Sequence, residues 1–201
     1  MADIKLTYFN AQGMAEISRL ILACANQKFT DERMEREDWP AVKPTVPYGQ
    51  IPILLYNGVV ISQSITIARF LANEFGLAGK NNLEKAEADE IVDALMDIQN
   101  ARYGVFFNKD PEQKDQLLEE FKVKANTILT HLESRLKSRG GQYFAGNQLT
   151  WADLQLFNIL DALKVLIPAP VEDLPLLKDL EDRVADIPNV KKWIETRPKQ
   201  Q

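Results

Sequence analysis

The chain has 201 residues, 45% of them apolar and 26% charged, with a formal net charge of −5. This is the balance of an ordinary globular protein, long enough for one large domain or two small ones. No Lys/Arg block stands out to follow a phosphate backbone, which argues against a nucleic-acid partner, and the one cysteine, Cys24, excludes an intramolecular disulfide.

Residues 1–76 alternate between two periodicities. Ile4 to Phe9 alternates apolar and polar residues, the pattern of a half-buried strand. Gly13 opens a stretch from Met14 to Asn26 whose apolar residues Ile17, Leu20, Ile21 and Cys24 recur at helical steps. Phe29 to Met34 reads as a weaker strand. Ile53 to Tyr56 and Val59 to Ile61 flank Asn57-Gly58, the favoured pair for a tight hairpin. Ile65 to Phe75 is helical again, and Gly76 stands where a left-handed C-terminal cap falls. The order β-α-β, hairpin, α predicts a mixed sheet.

After a short linker, Gly76 to Asn82, strand signals fade. Helical patterns cover about 84–107, 112–138, 150–166, 174–186 and 188–195, with prolines at 111, 168, 170, 175 and 188 between them. Two domains are therefore expected, 1–76 and an all-helical 83–201. Thr150-Trp151-Ala152-Asp153 has capping-box spacing, which makes Asp153 a helix-start residue rather than a catalytic acid. The start Met1-Ala2-Asp3-Ile4-Lys5 lacks a signal-peptide profile, and no apolar run reaches the ~20 residues of a membrane span. With the lone cysteine, this leads us to expect a cytoplasmic protein without a membrane partner.

Few residues are left to carry chemistry. The single histidine, His131, lies in a long helical stretch, which leaves metal and Ser-His-Asp catalysis poorly supplied. Cys24 sits on an apolar helix face, where packing is favoured over reactivity. The glycines form neither a phosphate loop nor a dinucleotide fingerprint. What remains is in the first half. Tyr8 ends the first strand before a glycine turn and a helix, at the edge where β-α units bind ligands. Taken singly it is more often a core tyrosine. Trp39-Pro40 with Lys43, Ile51-Pro52 before a strand, and Gln63-Ser64 at a helix start mean little one by one.

Together they resemble the cytosolic glutathione transferases, most closely the sigma class, which includes haematopoietic-type prostaglandin D synthase and the lens S-crystallins. The resemblance rests on Lys5-Leu-Thr-Tyr8-Phe-Asn10, Gly13 with Ala15-Glu16, Asp38-Trp39-Pro40 with Lys43, Gln50-Ile51-Pro52, Gln63-Ser64 with Ile67-Ala68-Arg69, and Thr150 to Asp153. It spans essentially the whole chain. It implies a thioredoxin-like N-terminal domain with a mixed four-stranded sheet, a helical-bundle C-terminal domain and a homodimer. It also implies glutathione as co-substrate. Tyr8 would donate its hydroxyl hydrogen to the sulfur; Trp39, Lys43 and Gln50 would hold the glycyl end. Ile51, before a cis Pro52, would pair with the cysteinyl part. Gln63 and Ser64 would take the γ-glutamyl end, with Asp97 reaching in from the partner subunit. Phe9, Gly13, Met14, Tyr103 and Gly104 match positions lining a pocket for a small hydrophobic electrophile.

The chain also departs from that pattern. Met14 stands where sigma-class members usually carry arginine, and Gly104 where the prostaglandin synthase has a pocket-filling tryptophan. Of an interface metal site made of three acids, Asp93 and Asp97 match but Met96 replaces the third, so no metal is expected. The resemblance thus implies conjugation of glutathione to electrophiles. A low-activity, S-crystallin-like structural or binding protein, and a glutathione-dependent prostaglandin isomerase or lipid peroxidase, are the alternatives.

Overall fold

The computed structural model describes residues 2–198; residue 1 and residues 199–201, at the outer ends of the two expected domains, lie outside the described residues. In chain order the elements are β1 (Ile4–Phe9), α1 (Glu16–Cys24), β2 (Thr30–Met34), α2 (Trp39–Val42), β3 (Ile53–Tyr56), β4 (Val59–Ser62), α3 (Ser64–Glu74), α4 (Asn82–Phe107), α5 (Pro111–Ser138), α6 (Trp151–Leu163), α7 (Pro175–Ala185) and α8 (Pro188–Thr196). By contact the chain divides into two compact units, Met1–Leu77 with Asp186–Gln201, and Ala78–Ala185.

The first unit is thioredoxin-like. Its four strands lie in the order β2-β1-β3-β4. β1 runs parallel to β2 and antiparallel to β3, and β4 pairs antiparallel with β3. β1 is central, and Ile4, Leu6, Thr7 and Tyr8 are all buried on it. A strand covered on both faces loses strict alternation. The Asn57-Gly58 turn takes positive φ at both residues, 49° and 83°, as a tight hairpin requires. α1 packs on α3 and on α8, with Ile17, Leu20, Ile21, Ile67, Leu71 and Val190 buried. The sequence reading grouped residues 188–195 with the helical half; by contact α8 belongs with the first unit.

Two local details differ from the sequence reading. The helix expected from Met14 begins as a 3₁₀ turn over Gly13–Ala15 and becomes α-helical at Glu16. The stretch that carries Trp39, Pro40 and Lys43, where no regular element was expected, forms α2 between short 3₁₀ turns. Pro40 falls in the first turn of α2, where its missing N–H costs no helical bond.

The second unit is all helical. α4 packs on α5 and α6, and α7 on α5 and α6. Side chains satisfy the helix starts. Asn81 accepts the Glu84 N–H at 3.0 Å, and Asp110 accepts the Glu112 N–H at 3.0 Å. Glu133 of α5 accepts the Leu176 and Leu177 N–H groups of α7 at 3.1 and 2.9 Å. The capping box of Thr150 and Asp153 opens α6. α6 is shorter than expected, because the Leu166 and Ile167 N–H groups both turn back to the Leu163 carbonyl, each at 2.8 Å, before Pro168. Among the described residues no helix is long and apolar enough to cross a membrane.

Candidate active site

The site grows from the end of β1. Tyr8 lies in the middle of the sheet and is 9% exposed. The chain leaves β1 through Asn10–Gln12 and turns back at Gly13, which has φ +47°. That turn brings the Met14 N–H onto the Tyr8 hydroxyl oxygen at 3.3 Å. Glycine is required here twice over. A side chain tolerates this φ poorly, and a Cβ would lie 2.7 Å from both Cε1 and Oη of Tyr8. By accepting from Met14, the tyrosine keeps its own hydroxyl hydrogen to give to another group.

The rings of Phe9 and Trp39 continue outward. Phe9 stands edge-on to Tyr8 with centroids 5.5 Å apart, and Trp39 edge-on to Phe9 at 5.6 Å. Beyond them opens a cleft of about 400 Å³, lined by Phe9, Met14, Trp39, Gly49, Gln50, Ile51, Pro52, Gln63 and Ser64. Ile51–Pro52 is a cis peptide.

The far wall is the start of α3. Gln63, its N-cap residue, has φ +72°, an uncommon conformation for a side-chain-bearing residue and one that gathers at functional sites. Its side chain does not cap the helix; its Nε2 donates instead to Gln50 Oε1 at 3.0 Å. The first N–H groups of α3 are thus left for an acceptor, and with the helix dipole they favour a carboxylate. Lys43 is exposed, its stem against Gly49, where an added Cβ would lie 3.5 Å from Lys43 Cγ and Cε. An ammonium there adds positive charge near the same cleft. Arg36 stacks over the Phe9 ring, 5.2 Å from its centroid.

The first unit therefore brings together Tyr8, Phe9, Gly13, Met14, Trp39, Gln50, Ile51, Pro52, Gln63 and Ser64, with Lys43 beside Gly49. The remaining expected residues lie on α4 in the second unit: Asp93 and Asp97 are exposed, Tyr103 half-buried and Gly104 exposed. Met96 is half-buried, its thioether 3.5 Å from Gln155 Nε2. Among the described residues no group of three or more His, Cys, Asp or Glu side chains gathers as a metal site. His131 is exposed on α5, and burial pushes the Cys24 thiol above its ordinary pKa.

Two features escaped the sequence reading. Gly49 lines the cleft. Beneath the Tyr8 turn, Glu16 and Arg19 are fully buried. No local pattern signals that burial, since opposite charges three residues apart are equally at home on an exposed helix face.

Comparison with known proteins matches both units. Residues 4–73 match the family model for the N-terminal domain of glutathione S-transferases, and residues 96–197 that for the C-terminal domain. Glutathione S-transferase 1 of Ascaris suum is 40% identical over 203 residues, covering 99% of this chain and 98% of the relative. The hematopoietic prostaglandin D synthase of Gallus gallus is 40% identical over 202 residues, with 99% and 98% coverage. Among solved structures, the monomeric Na-GST-3 of the hookworm Necator americanus superposes with a TM-score of 0.89 at 35% identity, covering 99% of each chain.

Proposed function

The chain belongs to the glutathione S-transferase family and is an enzyme of that kind with glutathione as co-substrate, and on that premise we propose that Tyr8 holds the glutathione thiol as a thiolate for attack on small hydrophobic electrophiles. The observation that carries the proposal is the Met14 N–H on the Tyr8 hydroxyl, which directs the tyrosine's own hydrogen elsewhere. A free thiol of pKa ~8.5 is only about 3% ionised at pH 7. Lowering that pKa by ~2 units raises the fraction to roughly three quarters and needs about 2.7 kcal/mol. One hydrogen bond to a charged group supplies about 1.5–3 kcal/mol. The start of the α1 segment adds a favourable dipole. Binding both reactants in one cleft then lowers the entropic cost of their meeting.

In this reading the γ-glutamyl carboxylate sits on the start of α3 at Gln63 and Ser64, and the cysteinyl backbone pairs with Ile51 beside Pro52. The glycyl carboxylate meets Trp39, Lys43 and Gln50. Phe9, Gly13 and Met14 meet the electrophile, and Tyr103 and Gly104 of α4 are assigned to it by the family resemblance alone. The chain acts as a homodimer in which Asp97 completes the neighbouring subunit's site; sedimentation at micromolar concentration showing one chain's mass alone would refute this. Cys24, the only cysteine, suits a reducing compartment, and we place the enzyme in the cytoplasm.

The test compares conjugation of a chromogenic aryl halide by the protein and by Tyr8→Phe. The rate is expected to fall at least tenfold, about 1.4 kcal/mol or more, with glutathione binding kept. An equal rate in the variant would remove Tyr8 from the mechanism. A second reading, a protein of low activity used for binding or structure, is favoured by Met14, which lines the cleft and offers neither charge nor donor. Glutathione binding without any conjugation would select it.

A further inference from the structure

Glu16 and Arg19 are fully buried on a helix whose other inward residues are largely apolar. Arg19 Nη1 donates to the Ala11 carbonyl at 2.8 Å, the Gln12 carbonyl at 3.3 Å and Glu16 Oε2 at 3.2 Å. Its Nε donates to Asp31 Oδ1 at 2.9 Å, and Asp31 Oδ2 accepts from Arg33 Nε at 2.8 Å. The other oxygen of Glu16 accepts the Trp193 indole N–H at 2.9 Å and Arg197 Nη1 at 3.0 Å. Residues 177 and 181 positions further along the chain are thus tied, through one carboxylate and one guanidinium, to the two carbonyls that precede Gly13.

Burying such a cluster is a poor way to gain stability, because well-packed apolar residues usually do as well. Arg19 Nη2 is itself buried without a hydrogen-bond partner among the described residues. What apolar residues cannot do is grip two carbonyls of a loop. The gripped loop is the one that matters to Tyr8. Gln12 is followed by Gly13, whose backbone lies against the tyrosine ring, and then by the Met14 N–H that reaches the hydroxyl. An N–H donated to a phenol oxygen polarises it and strengthens the bond the phenol itself donates.

We infer that Trp193 and Arg197, acting through Glu16 and Arg19, are positioning residues for Tyr8. They hold the 11–13 loop so that the Met14 N–H stays on the hydroxyl and keeps the tyrosine a strong donor to the glutathione sulfur. The inference rests on the reading of Tyr8 given above.

Trp193→Phe tests it. The variant keeps a ring against Phe29, now 5.9 Å from the Trp193 ring between centroids, and removes the indole N–H. The thiol pKa of bound glutathione is read from the thiolate ultraviolet absorbance against pH, and kcat/KM with an aryl halide is measured over the same range. The pKa is expected to rise by about half a unit, which lowers the rate about threefold below that pKa and leaves it unchanged well above. KM for glutathione stays within about twofold, since none of the four residues lines the cleft. Arg197→Gln shifts the pKa in the same direction, and Arg197→Lys, which keeps a cation beside Glu16, restores it. An unchanged thiol pKa in both Trp193→Phe and Arg197→Gln overturns the inference. So does a rate lowered by one factor at every pH, the mark of lost folded protein. Tyr8→Phe in the same titration separates the two readings. If it leaves the pKa alone, the Tyr8 mechanism is wrong; if it raises the pKa while the network variants do not, the network inference alone falls.

Discussion

Glu16 opens α1 and Asp153 opens α6, and each is a fully buried carboxylate in the first turn of its helix. Their partners differ in range. Asp153 accepts the Thr150 N–H at 2.7 Å, the Thr150 hydroxyl at 3.1 Å and the Phe144 N–H at 3.1 Å, all from nearby chain. Glu16 collects Arg19 from its own helix but Trp193 and Arg197 from the far end of the sequence. Two acids of the same burial therefore do different work. One closes a local cap and stabilises its own helix. The other ties a distant segment to a loop beside the candidate catalytic tyrosine. In the helical unit this carboxylate acts within its own stretch of chain, and in the thioredoxin-like unit it acts across almost the whole sequence.

The sharpest way to break this contrast is Asp153→Ala. It leaves the Thr150 and Phe144 N–H groups buried without an acceptor, at about 1–3 kcal/mol each. We expect a loss of about 3 kcal/mol in urea unfolding, with the conjugation rate per folded molecule unchanged. A variant that stays stable but loses rate would give Asp153 a part in the site and end the contrast.

Acid sharpens it further. Burial raises the Asp153 pKa to about 6, against the Thr150 and Phe144 hydrogen bonds that lower it. The folded protein then keeps a proton that the unfolded chain releases near its ordinary carboxylate pKa of about 3.9. Its contribution to stability is fully present below that pKa, declines as pH rises toward 6, and is absent above. The span is about 2 units, or about 3 kcal/mol at most. Glu32 works in the opposite sense, because the Thr7 hydroxyl holds its pKa low and its contribution fades on acidification. The wild-type curve mixes the two. The difference between wild type and Asp153→Asn isolates Asp153, and it should shrink from pH 4 to pH 6 and be flat above. A difference that does not change with pH would place the Asp153 pKa outside this window.

Gly13→Ala moves the comparison to the other unit. A Cβ would stand 2.7 Å from Tyr8 Cε1 and Oη at a φ of +47°. The backbone cost is about 1 kcal/mol, and displacement of the Met14 N–H adds a fall in conjugation of about tenfold, or about 1.4 kcal/mol. Rate is thus expected to suffer more than stability, the reverse of Asp153→Ala. Thermal unfolding and aryl-halide kinetics on one preparation would show which moves further.

These residues also mark what the sequence could and could not disclose. Strand and helix periods, the Asn57-Gly58 hairpin and the Thr150–Asp153 box are local patterns, and apart from the start of α1 and the end of α6 the elements lie where those patterns placed them. Most residues that line the cleft were named only through a family resemblance carried by several short motifs. Their convergence around one cavity was not legible, since nothing local brings Gln50 to Gln63. Nor could periodicity show that Glu16 faces inward, because its reason for being buried is a tryptophan 177 residues away. The grouping of α8 with the first unit has the same origin. Local chemistry is written in neighbouring residues; a buried charge is explained only by partners that folding delivers.

Met14→Arg is the smallest change we predict, and it runs in the direction of gain. Met14 lines the cleft, and its N–H serves Tyr8 while its side chain contributes no donor. Because the bond to Tyr8 comes from the backbone, the substitution leaves it in place. A guanidinium at this position adds a fixed positive charge near the sulfur and lowers the thiol pKa further. Exposure to solvent in an open cleft limits the gain to a fraction of what a buried pair would give. We expect kcat/KM near pH 6.5 to rise about threefold, or about 0.7 kcal/mol, with urea stability unchanged and no gain at alkaline pH, where the thiol is already ionised. A gain of equal size at every pH would mean that arginine acts on the electrophile instead of the thiolate. A loss would mean that the apolar methionine is itself part of the electrophile's contact surface, and that this cleft is fitted to a more hydrophobic partner than an arginine-bearing one would accept.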